Sequence, residues 1–172
     1  MIVNISKKDV NKLLILSRPS IAFSKLFFGF NGVIAEVGVQ DGIHAFELMN
    51  DLRPSTLYLI DVMKNWDKAK EKLKDFQNIS FISKPSIEAS QDFPDNFFDL
   101  VYVDAEHSYD AVRQDIGTWM PKVKEWGIIA GHDWKLEEVK EAVRSLRGDA
   151  LYYMGDDWWF IKNKDFKYYL IG

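Results

Sequence analysis

The sequence of 172 residues predicts a doubly wound α/β fold whose mostly parallel sheet ends in an antiparallel hairpin. Between residues 33 and 148, short continuous apolar segments alternate with segments of helical periodicity. Strands that are apolar at successive positions are buried on both faces, as in a parallel sheet covered by helices. Near the C-terminus, two strand-like segments are too close for a crossover and must pair as a hairpin. We therefore expect five parallel strands and the hairpin, which makes a seven-stranded sheet.

Seven apolar segments predict the strands. They are residues 33–37, 57–60, 79–82, 100–103 and 127–130, and then 151–154 and 158–161 in the hairpin. The helices between the parallel strands are predicted from apolar residues that recur every three or four positions. Their stripes are Ala45, Leu48, Met49 and Leu52; Trp66, Ala69, Leu73 and Phe76; Tyr109, Val112, Ile116 and Trp119; and Leu136, Val139, Val143 and Leu146, before a C-cap at Gly148.

The length of the chain suits a single domain spanning 1–172. We expect residues 1–30 to form a flap of one or two short helices, residues 31–162 the core, and residues 163–172 a tail. The first helix would begin after Ser6 as its N-cap. Its apolar face would consist of Val10, Leu13 and Leu14. Arg18-Pro19-Ser20 should interrupt it, because proline restricts the residue before it.

Composition excludes several classes of function. The 22 basic and 26 acidic side chains give a net charge of −4, which argues against nucleic acid as a partner. The chain has no cysteine, so disulfides, a cysteine nucleophile and cysteine-ligated zinc are excluded. We find neither a signal-peptide pattern nor an apolar stretch of about 20 residues, so we expect a soluble cytoplasmic protein without a membrane partner.

Polar residues cluster where the predicted parallel strands end. These ends carry Glu36 to Gly42, Asp61, Asp104 to His107, and His132-Asp133. Ligands of open α/β sheets bind beyond the carboxyl ends of the strands, near the point where the strand order reverses. The sequence therefore predicts one site that gathers these residues.

The first of these loops predicts a nucleoside-binding site. Gly38 and Gly42 allow a tight turn and a close approach of a ligand to the backbone. The NAD fingerprint G-x-G-x-x-G needs a second glycine at position 40, where this chain has Gln40, so the loop does not match that fingerprint. Asp61 follows Gly42 by 19 residues, and an acidic group at that place accepts hydrogen bonds from ribose hydroxyls.

The pattern Glu36-x-Gly38-x-x-x-Gly42, followed by Asp61 and Asp104, resembles that of the class I S-adenosylmethionine-dependent methyltransferases. The resemblance covers about residues 30–162. Asp104-x-x-His107-x-Tyr109, with the Gly127 to Asp133 segment, is similar to a subgroup that includes sugar and macrolide O-methyltransferases. It implies a Rossmann-like methyltransferase fold, with S-adenosylmethionine as the cofactor and a hydroxyl of a small molecule as the acceptor.

The resemblance also implies roles for particular residues. The loop from Glu36 through Gly38 to Gly42 would hold the methionine part of the cofactor, with His44 as a candidate contact to its carboxylate. Asp61 would bind the ribose hydroxyls. Val62, Ser86 and Ile87 would line the adenine, although relatives often have an acidic residue before Ser86 where this chain has Pro85. Asp104 would face the methyl group or a bound metal.

Two devices could activate the acceptor hydroxyl. His107, beside Asp104, could act as a general base, because a histidine pKa lies near the working pH. Alternatively, Asp104, His132 and Asp133 could hold a divalent metal, with magnesium preferred by the oxygen ligands. The plainer interpretations are that His107 caps a helix or binds Asp115, and that Asp133 is an N-cap.

Two other functions remain open. A metal-dependent hydrolase would use the Asp/His cluster of Asp104, His107, His132 and Asp133 but leave Asp61 without a role. A non-catalytic module would bind the cofactor only. Because little of the chain lies outside the expected core, we expect a small acceptor site, or one completed by a second subunit of a homo-oligomer.

Overall fold

The computed structural model describes residues 2–5, 18–148, 151–163 and 167–170, and side chains within 18–26, 29–148 and 151–163. The strands are β1 Ile2–Ile5, β2 Val33–Val37, β3 Thr56–Asp61, β4 Ile79–Ser83, β5 Phe98–Val103, β6 Val123–Gly131, β7 Tyr152–Met154, β8 Asp157–Ile161 and β9 Lys167–Leu170. The helices are α1 Pro19–Phe28, α2 Ile43–Leu52, α3 Asp67–Lys72, α4 Ser86–Ser90, α5 Tyr109–Trp119 and α6 Glu137–Arg147, with a 3-10 turn at Met120–Lys122.

The central sheet has seven strands in the order β4-β3-β2-β5-β6-β8-β7. The first five strands of this order are parallel to one another, and β8 is antiparallel to both β6 and β7. The prediction of a mostly parallel sheet with a C-terminal hairpin is confirmed. The order reverses at β2, which lies between β3 and β5, and Val37 is level with Ile60 and Val103. The register therefore brings three carboxyl ends to one edge of the sheet.

The C-terminal hairpin is tighter than the sequence predicts. Asp157 pairs with Met154, so only Gly155 and Asp156 form the turn. Gly155 takes a positive φ of 62° there, a conformation that costs glycine little. Trp158 and Trp159 on β8 are both buried, because β8 is covered on both faces.

Helices cover both faces of the sheet and create two apolar cores. One core joins the sheet to α1, α2 and α3 and includes Phe23, Leu48 and Trp159. The other joins it to α4, α5 and α6 and includes Trp119 and Trp158. Burying each such side chain contributes about 1.5–3 kcal/mol, so the sheet edge rests on a rigid scaffold.

The N-terminal segment departs from the prediction of helices. Residues 2–5 are a strand, β1, which pairs in parallel with β9 in a separate two-stranded sheet. Three of the four residues of β1 are β-branched, which suits a strand, but the partner lies in the expected tail, far along the chain. Ser6, Val10, Leu13 and Leu14 lie outside the described residues. The helix α1 begins at Pro19, where the fixed φ of proline suits a first turn.

Two further helices differ from the sequence pattern. The stripe from Trp66 to Phe76 forms a helix only over residues 67–72, although Leu73 is buried as expected. The short helix α4 was not predicted, since no apolar stripe marks it. In the described part of the chain, every helix is too short or too polar to cross a bilayer.

Candidate functional site

The loop after β2 is folded tightly against the end of β5. Gly38 has a φ of 86°, and a Cβ atom there would overlap the carbonyl oxygen of Asp104. Its amide donates to the carbonyl of Ile60 at 2.9 Å, and the Asp104 amide donates to the carbonyl of Val37 at 2.7 Å. Only glycine fits at this position. The two hydrogen bonds connect the end of β2 to the ends of β3 and β5.

The Asp61 carboxylate is fixed at the same edge by backbone amides. Its Oδ2 accepts hydrogen bonds from the amides of Val39 at 2.8 Å and Gln40 at 3.2 Å. Its Oδ1 accepts one from the amide of Met63 at 3.1 Å. The acidic residue therefore holds the glycine loop in place and lies at the surface of the site.

A cleft of about 580 Å³ opens between the ends of β2, β3 and β5 and the helices α4 and α5. Six of the predicted cofactor residues line it, namely Gly38, Asp61, Val62, Ser86, Ile87 and Asp104. Val62 is 69% exposed, so its apolar surface is open to a ligand. The structure thus brings together residues that lie up to 66 positions apart in the sequence.

Glu36, Gly42 and His44 do not line this cleft. Gly42, with a φ of 73°, precedes α2 and packs closely on Ala69. Glu36 and His44 are buried, with Glu36 Oε1 3.2 Å from His44 Nδ1. The His44 ring also packs against Tyr102, with 3.9 Å between the ring centroids. Their contact with a cofactor stays a prediction.

Burial favours the neutral forms of this pair. It raises the pKa of Glu36 well above its usual value, and the charge of Asp104 adds to the effect. Burial, with the positive charge of Arg18, lowers the pKa of His44 to about 3. Glu36 Oε2 and His44 Nε2 have no hydrogen-bond partner among the described residues.

A cluster of carboxylates and histidines lies at the ends of β5 and β6. His107 Nε2 is 2.9 Å from Asp133 Oδ2 and 3.7 Å from Asp104 Oδ1. These three residues present ligand atoms that all lie within 4.8 Å of one another. His132, the other expected metal ligand, is outside that group, and its Nδ1 lies 3.6 Å from Asp133 Oδ1. Burial raises the pKa of Asp104, while His132 and Arg18 oppose the rise.

The plainer interpretations of these residues do not describe the structure. Asp115 accepts a hydrogen bond from the Ser86 hydroxyl at 2.5 Å, and the partners of His107 are Asp104 and Asp133 instead. The helix α6 begins at Glu137, so Asp133 is not its N-cap. Asp133 adopts a φ of 59°, in the left-handed region that non-glycine residues seldom occupy.

Arg18 is a site residue that the sequence analysis missed. Its Nη1 donates to the Tyr102 hydroxyl at 2.9 Å, and its Nη2 lies 3.8 Å from Asp104 Oδ2. Its Nη1 is also 3.6 Å from Asp157, a fully buried carboxylate that accepts hydrogen bonds from the amide and hydroxyl of Ser20. No local pattern marks this network, because its members lie far apart in the sequence.

Comparisons with known proteins agree with this architecture. A family model described as a methyltransferase domain matches residues 35–134, more than half of the chain. An uncharacterised protein of Sinorhizobium fredii, y4gI, is 33% identical over 57 residues, which make up 33% of this chain and only 6% of that protein.

Solved structures share the fold at low sequence identity. A proposed methyltransferase of Streptococcus mutans, solved with S-adenosylhomocysteine, has a TM-score of 0.66 at 13% identity, over 83% of this chain and 94% of that one. The N-methyltransferase NodS of Bradyrhizobium japonicum, also solved with S-adenosylhomocysteine, has a TM-score of 0.60 at 16% identity, over 88% of this chain and 94% of that one. An rRNA methylase of Streptococcus thermophilus has a TM-score of 0.61 at 14% identity, over 81% of this chain and 90% of that one.

The family match spans the glycine loop, Asp61, Asp104 and Asp133, which are the residues that the fold gathers at one edge of its sheet. The chain therefore belongs to the methyltransferase-domain family, and its fold is that of the class I S-adenosylmethionine-dependent methyltransferases.

Proposed function

We propose that this protein binds S-adenosylmethionine in the cleft and transfers its methyl group to a hydroxyl of a small molecule. The observation that carries the proposal is the convergence of Gly38, Asp61 and Asp104 on one cleft at the reversal of strand order. Ligands of open α/β sheets bind at this place.

The residues of the cleft fit the parts of that cofactor. Gly38 lines the cleft and, having no Cβ, lets the loop after β2 pack directly against the end of β5. Asp61 presents a carboxylate suited to two ribose hydroxyls, and the exposed Val62 offers an apolar surface for adenine. The methionine part would lie along the Glu36 to Gly42 loop. When bound, S-adenosylmethionine would supply an electrophilic methyl group.

His107 is the residue best placed to remove a proton from the acceptor. Its Nε2 can donate to Asp133 at 2.9 Å, which leaves Nδ1 as the basic nitrogen. Enzymes that use histidine as a general base often place a carboxylate beside it, which orients the ring and stabilises its charged form. With 42% of its side chain exposed, His107 is accessible to an acceptor from solvent. Asp104, between His107 and Arg18, would help to orient the acceptor hydroxyl.

A divalent metal is the second candidate for this step. Asp104, His107 and Asp133 supply two carboxylates and one imidazole within 4.8 Å of one another. A metal held there would acidify an acceptor hydroxyl. Carboxylates suit magnesium, whereas the imidazole also suits manganese or zinc. The metal would replace the contact between His107 and Asp133, so His107 could then not serve as the base.

The acceptor is proposed to be a small molecule because the net charge of −4 disfavours a polyanion. The same fold serves an rRNA methylase, so the acceptor panel should contain RNA as well as sugars and phenols. Methylation of RNA alone would overturn the proposed acceptor class.

The test combines binding and turnover. We expect S-adenosylhomocysteine to raise the melting temperature by several degrees at about 100 times its Kd, and Asp61→Ala to abolish the shift. We expect His107→Ala to keep the shift and lose most methyl transfer. The control is Asp110→Ala, an exposed position on α5. No shift in the wild type would overturn cofactor binding.

The other outcomes separate the remaining candidates. A shift without turnover on any acceptor would favour the non-catalytic module. A shift with magnesium or manganese alone, lost in Asp104→Ala, together with hydrolytic activity would favour the hydrolase. Loss of methyl transfer in EDTA, restored by one added metal, would assign the metal as the activating device.

A further inference from the structure

Asp115, on α5, is a nearly buried carboxylate in the wall of the cleft. It is 6% exposed, and Ser86, Ile87 and Gln114 line the same cleft. Burial raises its pKa, and the hydrogen bond from Ser86 opposes that rise. A carboxylate is costly to bury unless its oxygens are paired, so the partners of its two oxygens matter.

One oxygen of Asp115 has a fixed partner and the other has none. The Trp119 indole Nε1 donates to Ser86 Oγ at 2.9 Å, and the Ser86 hydroxyl donates in turn to Asp115 Oδ1 at 2.5 Å. Because an indole N–H can only donate, the direction of both hydrogen bonds is fixed. Within the described residues, Asp115 Oδ2 accepts no hydrogen bond, yet it is not sealed from the cleft.

The nearby cation is engaged elsewhere. Lys84, which also lines the cleft, pairs with Asp92 at 2.7 Å. Asp115 Oδ2 therefore remains an acceptor that a ligand can satisfy. A carboxylate accepts from an N–H group and repels a carbonyl oxygen, so it distinguishes an amino group from an oxo group at the same position.

Resting on the proposed function, we propose that Asp115 binds the exocyclic amino group of adenine and so makes the site select a 6-amino over a 6-oxo purine nucleoside. Ser86, fixed by Trp119, is the positioning residue that aims the free oxygen of Asp115.

The experiment measures, by titration calorimetry, the Kd of S-adenosylhomocysteine and of its 6-oxo analogue, S-inosylhomocysteine. A lost hydrogen bond to a charged group corresponds to roughly 10- to 100-fold in affinity, so the wild type should prefer the adenosyl ligand by that factor. Asp115→Ala should bring the two Kd values within about threefold of each other. Asp110→Ala, on the same helix, should keep the wild-type preference.

Asp115→Asn gives a second test, which predicts a reversed ligand preference and not merely the loss of one. The Ser86 hydroxyl must donate to the amide oxygen, so the Asn NH2 group would occupy the free position. This variant should invert the preference toward the 6-oxo ligand. Both Asp115 variants must melt cooperatively near the wild type.

The outcomes separate the inference from the function beneath it. An unchanged preference in both Asp115 variants, with tight S-adenosylhomocysteine binding, overturns the role of Asp115 alone. Failure of the wild type to bind either ligand overturns the cofactor proposal and this inference with it. Loss of preference in Asp115→Ala with inversion in Asp115→Asn supports the assignment.

Discussion

The buried pair of Glu36 and His44 should give opposite pH dependences of stability in two single variants. His44 has a pKa of about 3 in the folded protein and 6.5 as its ordinary value. Between these values the unfolded chain binds a proton that the folded chain does not. The stability that His44 contributes is therefore complete above pH 6.5 and is lost as the pH falls toward 3.

The size of this effect follows from the two pKa values. From pH 8 to pH 4.5 the loss amounts to roughly 3 kcal/mol, since one pKa unit corresponds to about 1.4 kcal/mol. Glu36 acts in the opposite direction, because its folded pKa is raised well above 4.5. Its carboxyl keeps a proton in the folded protein that the unfolded chain releases, so stability falls as the pH rises above 4.5. The two contributions oppose each other in the wild type.

The assay is urea unfolding from pH 4.5 to pH 8 for the wild type, His44→Gln and Glu36→Gln. Relative to the wild type, His44→Gln should gain roughly 3 kcal/mol on acidification, or roughly 6–12 °C in Tm for a domain of this size. Glu36→Gln should gain relative stability as the pH rises. If both differences stay constant within about 0.5 kcal/mol, neither group is held neutral by burial and the reasoning fails.

Three further predictions concern the scaffold of the site. Gly38→Ala should unfold or strongly destabilise the protein, because its Cβ would overlap the Asp104 backbone. Gly117→Ala is the control: Gly117 faces open space on α5, so this variant should raise the free energy of unfolding by about 0.8–1 kcal/mol. Thermal melts of both variants check these expectations. Asp157→Ala should cost about 3–5 kcal/mol in urea unfolding, because the Ser20 amide, the Ser20 hydroxyl and the Tyr102 hydroxyl lose their buried acceptor. A cost below about 1 kcal/mol would contradict the role of this network. Asp61→Asn should speed hydrogen exchange at the amides of the glycine loop, because the neutral amide oxygen is the weaker acceptor, and unchanged exchange would show that those amides are protected by other groups.

The sequence predicted the central sheet because parallel strands carry their own signature. The segment 33–37 is apolar at nearly every position and is a strand over the same residues in the structure. The helix from Tyr109 to Trp119 likewise has the predicted limits, since its buried residues recur every three or four positions. Periodicity reports burial within one element, and these elements owe their form to such burial.

The remaining features depend on pairs that are distant in the sequence. The strand Ile2–Ile5 needs residues 167–170 as its partner, and no local pattern identifies that pairing. Arg18 resembled an interruption before a proline but lies beside Asp104 in the fold. His107, and not His132, groups with Asp104 and Asp133, and this grouping depends on side-chain positions that the sequence pattern does not reveal.

The three backbone hydrogen bonds to Asp61 limit how tightly a ligand can bind to this carboxylate. A carboxylate offers about four acceptor positions, and the loop amides of Val39 and Gln40, with that of Met63, already use three. A ligand that donates two hydroxyls must release at least one amide, and the 3.2 Å bond from Gln40 is the longest. A nucleoside therefore competes with the Gln40 amide for the Asp61 carboxylate, and the free energy of that hydrogen bond is subtracted from the free energy of nucleoside binding.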